Sequence, residues 1–436
     1  MSDTVKIAIA GLGTVGAGTI QLLSEQAGLL ERRCGRALSV TAVSARDRNR
    51  ERGVDISGFE WFDDPAEMAA RADADIVVEL IGGEDGAALA TCEAAIAAGR
   101  GVVTANKALI AHHGTSLAAA AEKSGVALGF EAAVAGGIPI IKALREGLAG
   151  NRVERVYGIL NGTCNYILTT MRETGRDFEG ILADAQEMGY AEADPSFDVD
   201  GVDAAHKLAI LTSVAFGCEV DFAGVHVEGI RHVTAADIAF AEELGYRIKL
   251  LGIAQRSEKG GENGVEQRVH PCMVRADAPI AHVEGVFNAV VAEGDFVGTT
   301  VYEGRGAGAG PTASAVAADI VDIARGARIP AFAVVSADLS PARTIPMSQH
   351  SSAYYVRLMV VDQPGVIAGV TAALRDENVS MESMIQRARD PDGPVPVVIT
   401  THETGESGMI KALATIGGLD TVVEQPRMIR IEFLKK

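Results

Sequence analysis

The chain is short of several features that would decide its class at once. No run of eighteen apolar residues occurs in its 436 positions, and the region around Met1 has no basic flank before an apolar stretch. Neither a membrane span nor a secretory leader is expected, and no membrane partner. The five cysteines, Cys34, Cys92, Cys164, Cys218 and Cys272, include no C-x-x-C pair. A zinc cage and a disulfide framework are therefore not expected, and a reducing, cytoplasmic setting is. No basic stripe offsets the formal net charge of −19, which argues against nucleic acid as a partner. The stretch GRGAGAGPT (304–312) lacks the lysine of a Walker loop, and no G-x-S-x-G elbow occurs, so phosphoryl transfer and serine hydrolysis have no motif to rest on. The nine histidines form no metal-type pair along the sequence.

What is present is a periodic α/β pattern. VKIAIAGLGTVGAGTIQLL reads as a buried strand, a glycine turn and an amphipathic helix, and strand-like runs return at LSVTAVS, DIVVEL, GVVTAN and GVALGF with helical stretches between them. That alternation predicts a Rossmann-like doubly wound parallel sheet over residues 1–130. Helices are expected to dominate about 163–255 and antiparallel strands 265–303, giving an α+β domain over 131–340 whose segment 305–330 leads back to the first domain. SPARTIPMSQHSS reads as a linker. Residues 353–436 then follow a β-α-β-β-α-β order, a ferredoxin-like module.

GLGTVG places Gly11, Gly13 and Gly16 in the dinucleotide fingerprint, directly after a strand. Gly11 permits the tight turn, Gly13 close approach of backbone to pyrophosphate and Gly16 helix–strand packing, while Thr14 and Val15 open the helix whose N-terminus faces the phosphates. The second strand ends in Ser44 followed by Arg46 and Arg48, where an NAD site usually carries an acid. An arginine there suits the 2′-phosphate of NADP, although Asp47 leaves NAD open. Asn106 and Lys107 fall at the C-terminal end of the fourth strand, where ligands of open α/β sheets bind.

EADPSFDVDGVDAAHKLAIL (192–211) sets five carboxylates in twelve positions before an apolar helix. Asp203 and Lys207 are four apart and share a helix face. The spacing alone allows either a solvated ion pair or a proton donor held for a carbonyl that exchanges hydride. Cys164 in NGTCNYIL reads either as an inert small hydrophobe or as the nucleophile of a phosphorylating semialdehyde dehydrogenase. A sensor that binds NADP and an amino acid without catalysis is a third reading.

GLGTVG, TANKALI, EAAVAGGIPII, NGTCNYIL, GYAEADPSFDVDGVDAAHKLAIL and GAGAGPTASAV together resemble homoserine dehydrogenases of the long bacterial form with a C-terminal ACT regulatory domain. The resemblance spans essentially the whole chain. It implies NAD(P)-dependent interconversion of L-aspartate 4-semialdehyde and L-homoserine, on the route to threonine, methionine and isoleucine. It makes Lys207 and Asp203 the catalytic pair, and it places Glu192, Asp198, Lys107 and Tyr190 at the substrate. Gly306 and Gly308 would close over the nicotinamide. A monovalent cation, sodium, is implied at Glu131 with the carbonyls of Val134, Gly136 and Ile138. The resemblance further implies a catalytic and dimerisation role for the middle domain, a homodimer or homotetramer, and an ACT domain over 353–436 that takes threonine as feedback effector.

Overall fold

The computed structural model describes residues 4–257, 259, 264–387 and 393–434, so the outermost residues of the expected first and last domains, 1–3 and 435–436, lie outside it. Its first sheet contains β1 (Val5–Ala10), β2 (Leu38–Ser44), β3 (Glu60–Phe62), β4 (Ile76–Glu79), β5 (Gly101–Thr104) and β6 (Leu128–Gly129). The order is β3-β2-β1-β4-β5-β6 and every pairing is parallel. β4 and β5 are buried along their whole length, as expected of strands covered by helices on both faces. The strand order reverses between β1 and β4, which opens a crevice at their C-terminal ends. GVALGF pairs through only two residues, and a side chain on Gly129 would come within 2.8 Å of Asp319.

The Ala309–Ala324 helix packs beside the Thr14–Glu25 helix, and its Val316 and Ile320 share a core with Ile7, Ile9 and Val78. Late sequence thus completes the layer begun by early sequence.

The second sheet contains β7 (Val153–Ile159), β8 (His226–Val227), β9 (Tyr246–Arg256), β10 (Gly264–Arg275), β11 (Phe287–Gly294), β12 (Gly298–Arg305), β13 (Arg343–Thr344), β14 (Ser351–Val361), β15 (Met381–Gln386), β16 (Pro394–Thr401), β17 (Thr404–Gly405) and β18 (Arg427–Glu432). Its main path runs β12-β11-β7-β9-β10-β18-β14-β16-β15. β9 corrects the expectation of helix up to residue 255. Lying between β7 and β10, it is buried from Ile248 to Ala254 on both faces, and such an apolar run reads alike as strand or buried helix.

The segment read as a linker is also built into the sheet. Arg343–Thr344 pairs with β10, the Thr344 hydroxyl donates to Asp221 at 2.7 Å, and buried His350 meets Glu266 at 3.0 Å. The last module has strand order β18-β14-β16-β15 with helices Val366–Asp376 and Glu406–Gly417 between its strands. Its β18 pairs in parallel with β10, so one sheet runs through both regions. Charge buried along that seam is paired: Arg268 with Glu266 and Glu432, Arg430 with Glu228 and Glu406, Arg357 with Asp237.

The Val202–Phe216 helix carries Asp203 and Lys207. It packs on β7, β9 and β10 on one side and on the Lys107–Ser124 helix of the first sheet on the other. Twelve of its fifteen residues are buried, the mark of a helix enclosed all round. Gly201, in the left-handed region at φ 87°, starts it, so Asp203 enters the first turn at the interface of the two layers.

Candidate active site

The fingerprint glycines differ in what surrounds them. A Cβ on Gly11 would lie 2.4 Å from the Leu80 carbonyl oxygen, and one on Gly16 would lie 2.0 Å from that of Gly11. Both are glycine because backbone passes there. A Cβ on Gly13 meets nothing within 4 Å, and no side chain caps the Thr14–Glu25 helix, so its first amide groups face open space. A cavity of about 450 Å³ extends from Gly11 and Gly13 past Ser44 to Arg46, Asp47, Arg50 and Arg52. Sequence reading singled out Arg46 and Arg48; Arg46 lines the cavity and Arg48 does not, while Arg50 and Arg52 are the additional cations on its wall, with both Arg48 and Arg52 over the Trp61 ring. The density of arginines in ARDRNRER was the only available signal for them. The Thr14 side is exposed and Val15 half-buried.

At the far end of the crevice, Asn106 turns out to be a helix cap. Its side chain accepts from Leu109 N at 3.1 Å and donates to the Gly83 carbonyl at 2.6 Å. Lys107 follows it and reaches the Asp203 carboxylate at 2.7 Å. The other Asp203 oxygen receives Lys207 Nζ at 2.7 Å and Asn161 Nδ2 at 2.8 Å, and Lys207 also donates to the Leu160 carbonyl at 2.7 Å. The Asp203–Lys207 pair is therefore a buried one, with the Asp203 carboxylate set between two lysines and an amide rather than in solvent.

Burial would raise the Asp203 pKa, but Lys207 and Lys107 outweigh it and hold the carboxyl well below its usual range. Burial, helped by repulsion from Lys107, lowers the Lys207 pKa against the pull of Asp203. Lys107 moves the other way: burial lowers its pKa, yet Asp203, Asp198 and Glu192 together overcome that and raise it. The two lysines on one carboxylate are thus shifted in opposite directions.

Asp198 accepts the second Asn161 Nδ2 bond at 2.8 Å, and burial and Asp203 raise its pKa. Asn161 was not among the sequence candidates. Its signal was positional, an asparagine opening the Gly162–Thr174 helix, where it also caps Cys164 N at 2.8 Å. Glu192 is exposed, and its charge reaches Lys107. Tyr190 is also exposed, and its ring lies 5.1 Å from that of Tyr166. Cys164 is fully buried, its thiol donating to the Asp198 carbonyl at 3.2 Å, and burial pushes its pKa well up. A protonated, enclosed thiol is a poor nucleophile.

Glu131 is buried beneath the turn 134–138 and accepts from Ile141 N and Lys142 N, each at 2.9 Å. Burial and Asp319 push its pKa up to about 7. Ala135 and Gly136 hold positive φ values of 53° and 31°, which curls the turn back against Arg305 and Gly306. The Ile138 carbonyl already accepts from Ile140 N at 2.8 Å. Gly308, at φ 113°, then opens the Ala309–Ala324 helix beside Gly18.

A parallel sheet with a glycine turn and an arginine-lined cavity at its switch point defines the class of dinucleotide-binding proteins. Family models refine the class: homoserine dehydrogenase NAD-binding domain over residues 11–131, homoserine dehydrogenase over 139–321 and ACT domain over 354–418. The chain is 46% identical to the homoserine dehydrogenase of Pseudomonas aeruginosa, with 99% of each covered. It superposes on a homoserine dehydrogenase crystal structure from Thiobacillus denitrificans with TM-score 0.92 at 45% identity, covering 99% of both chains. A hyperthermophilic archaeal homoserine dehydrogenase in complex with NADPH matches 73% of this chain and 97% of its own, with TM-score 0.63 at 28% identity. The chain belongs to the homoserine dehydrogenase family, and its enzyme class is that of a nicotinamide-dependent oxidoreductase acting on L-homoserine and L-aspartate 4-semialdehyde.

Proposed function

We propose that Lys207 carries the proton in this reaction and that Asp203 positions it. The observation that carries this reading is the buried Lys207 ammonium, held by Asp203 and by the Leu160 carbonyl at 2.7 Å each, with Lys107 on the other Asp203 oxygen. When bound, the nicotinamide cofactor supplies or accepts the hydride. Lys207, less basic than an ordinary lysine, donates a proton to the oxygen of the semialdehyde as it becomes an alkoxide, and takes it back in the oxidative direction. Asp203 and the Leu160 carbonyl fix the ammonium, and Lys107 stays charged as an electrostatic partner for substrate. Glu192 and Asp198 receive the amino group of the substrate, and Tyr190 forms part of the pocket wall.

NADP is the preferred cofactor in this proposal, supported by three arginines on the ribose side of the cavity and by the NADPH complex of the archaeal relative. Gly11, Gly13, Thr14, Val15 and Gly16 cradle its phosphates, with Gly306 and Gly308 beside the nicotinamide end. Sodium is held by Glu131 and the carbonyls of Val134, Gly136 and Ile138; the raised pKa of a buried carboxyl is what a bound cation would relieve. The ACT module takes threonine as effector, and the enzyme works as a homo-oligomer in the cytoplasm, where five buried free thiols remain reduced.

The deciding experiment is NADP+ reduction by L-homoserine under alkaline conditions, in the wild type and in Lys207→Ala. A drop of roughly 10²-fold or more in kcat is expected for the variant. Unchanged turnover would remove Lys207 from the proton transfer, and faster turnover with NAD+ than with NADP+ would reverse the cofactor preference.

A further inference from the structure

Although the histidines form no metal-type pair along the sequence, the fold brings two of them together with an acid. His112, on the Lys107–Ser124 helix, lies with its Nε2 3.4 Å from His206 Nε2 and 3.1 Å from Glu84 Oε2. All three ligand atoms fall within 4.8 Å of one another. Four ligands placed tetrahedrally at about 2.0–2.1 Å from a zinc ion are roughly 3.3 Å apart, so two of these separations are already those of a coordination sphere.

The chemistry of the donors agrees with the spacing. His206 Nδ1 lies 3.0 Å from the Val202 carbonyl oxygen, which can only accept, so Nδ1 carries the hydrogen and Nε2 presents its lone pair. That is the orienting bond a ligating histidine normally makes through its second nitrogen. Phe222 stacks on the His206 ring at 4.2 Å and meets the His112 ring at 4.9 Å, fixing both imidazoles. Glu84 and His112 are partly exposed, which leaves an entry path and a free coordination position.

We propose that Glu84, His112 and His206 bind a divalent transition-metal ion of the zinc class at the rim of the substrate cleft. Glu84 and His112 belong to the nucleotide-binding layer and His206 to the helix that carries Asp203 and Lys207, so the ion joins the two walls of the cleft. Phe197 neighbours both the site and the lysine cluster, 5.5 Å from the His206 ring and 5.5 Å from Lys107 Nζ. A second group, His270, Cys272 and Glu432, is fully buried, and Arg268 holds its Glu432 at 3.1 Å. Two neighbouring guanidinium groups, Arg268 and Arg430, oppose a cation there.

The test uses the full-length protein, stripped with a chelator and titrated with Co2+ alone, read by visible absorption and calorimetry. One Co2+ per chain is expected, with the visible bands of a nitrogen and oxygen site and no thiolate-to-cobalt charge-transfer band. His112→Ala should weaken binding by roughly 100-fold or more, since even outer partners of a metal ligand are worth about 10–100-fold. Glu84→Gln, on an exposed loop where misfolding is not a concern, should weaken it in the same direction. Absence of binding, binding indifferent to both substitutions, or a charge-transfer band that traces the ion to Cys272 would each overturn the proposal. None of these readouts depends on turnover.

Discussion

Glu131 and Cys164 are both buried groups whose ionised forms burial opposes, and the consequences are separable. The Glu131 pKa is raised from 4.5 to about 7. Between those values the folded chain keeps a proton that the unfolded chain has released, so stability falls as pH rises through that window and levels off above it. Glu131→Gln is expected to flatten this slope in thermal melts, and sodium at constant ionic strength to raise the melting temperature of the wild type above pH ~7 but not that of the variant. Equal sodium responses in both proteins would remove Glu131 from the cation site. Cys164 is expected to resist iodoacetamide in the folded enzyme with no loss of turnover, because its thiol is enclosed and protonated. Inactivation that tracks alkylation of this one residue would revive a thiol mechanism. In sequence both were only residue types at suggestive places; which groups enclose them was decided by packing.

The strand–turn–helix opening of the chain shows how different the same residue type can be at three positions of one element. Gly16→Ala is expected to destabilise the protein itself, because its Cβ would overlap the Gly11 carbonyl at 2.0 Å. Gly13→Ala has open space and should fold normally while weakening dinucleotide affinity. Thermal melts combined with cofactor titration separate the two, and a stable Gly16→Ala variant with intact affinity would contradict the packing argument. This element was fully legible, since local spacing alone specifies a strand, a tight turn and a helix start. β9 was not legible, because an apolar run buried on both faces carries no period that distinguishes strand from helix.

At the scale of the whole molecule the seam between β10 and β18 is the main feature that sequence reading did not anticipate. Removing residues 346–436 would expose the β10 edge and leave the buried Arg268 with Glu266 as its one remaining acid of the two. Losing one of two acids weakens the compensation of a buried arginine, and an open edge strand invites aggregation. The truncated chain is expected to be insoluble rather than merely unregulated, as judged by soluble yield and size-exclusion chromatography. A soluble, fully active truncation would show that the seam is dispensable.

The sequence by itself determined the layers and the chemistry of the turn. Period-two and period-3.6 patterns, glycine spacing and the Asp203–Lys207 interval are local properties, and they sufficed for a Rossmann-like sheet, a ferredoxin-like module and a family resemblance. Only the tertiary structure decided that this ion pair is buried, that Lys107 and Asn161 complete it from 96 and 42 positions away from Asp203, and that His112 meets His206 across 94 positions. Burial and electrostatic coupling depend on distances in space, and no spacing along the chain encodes a contact between two separate layers.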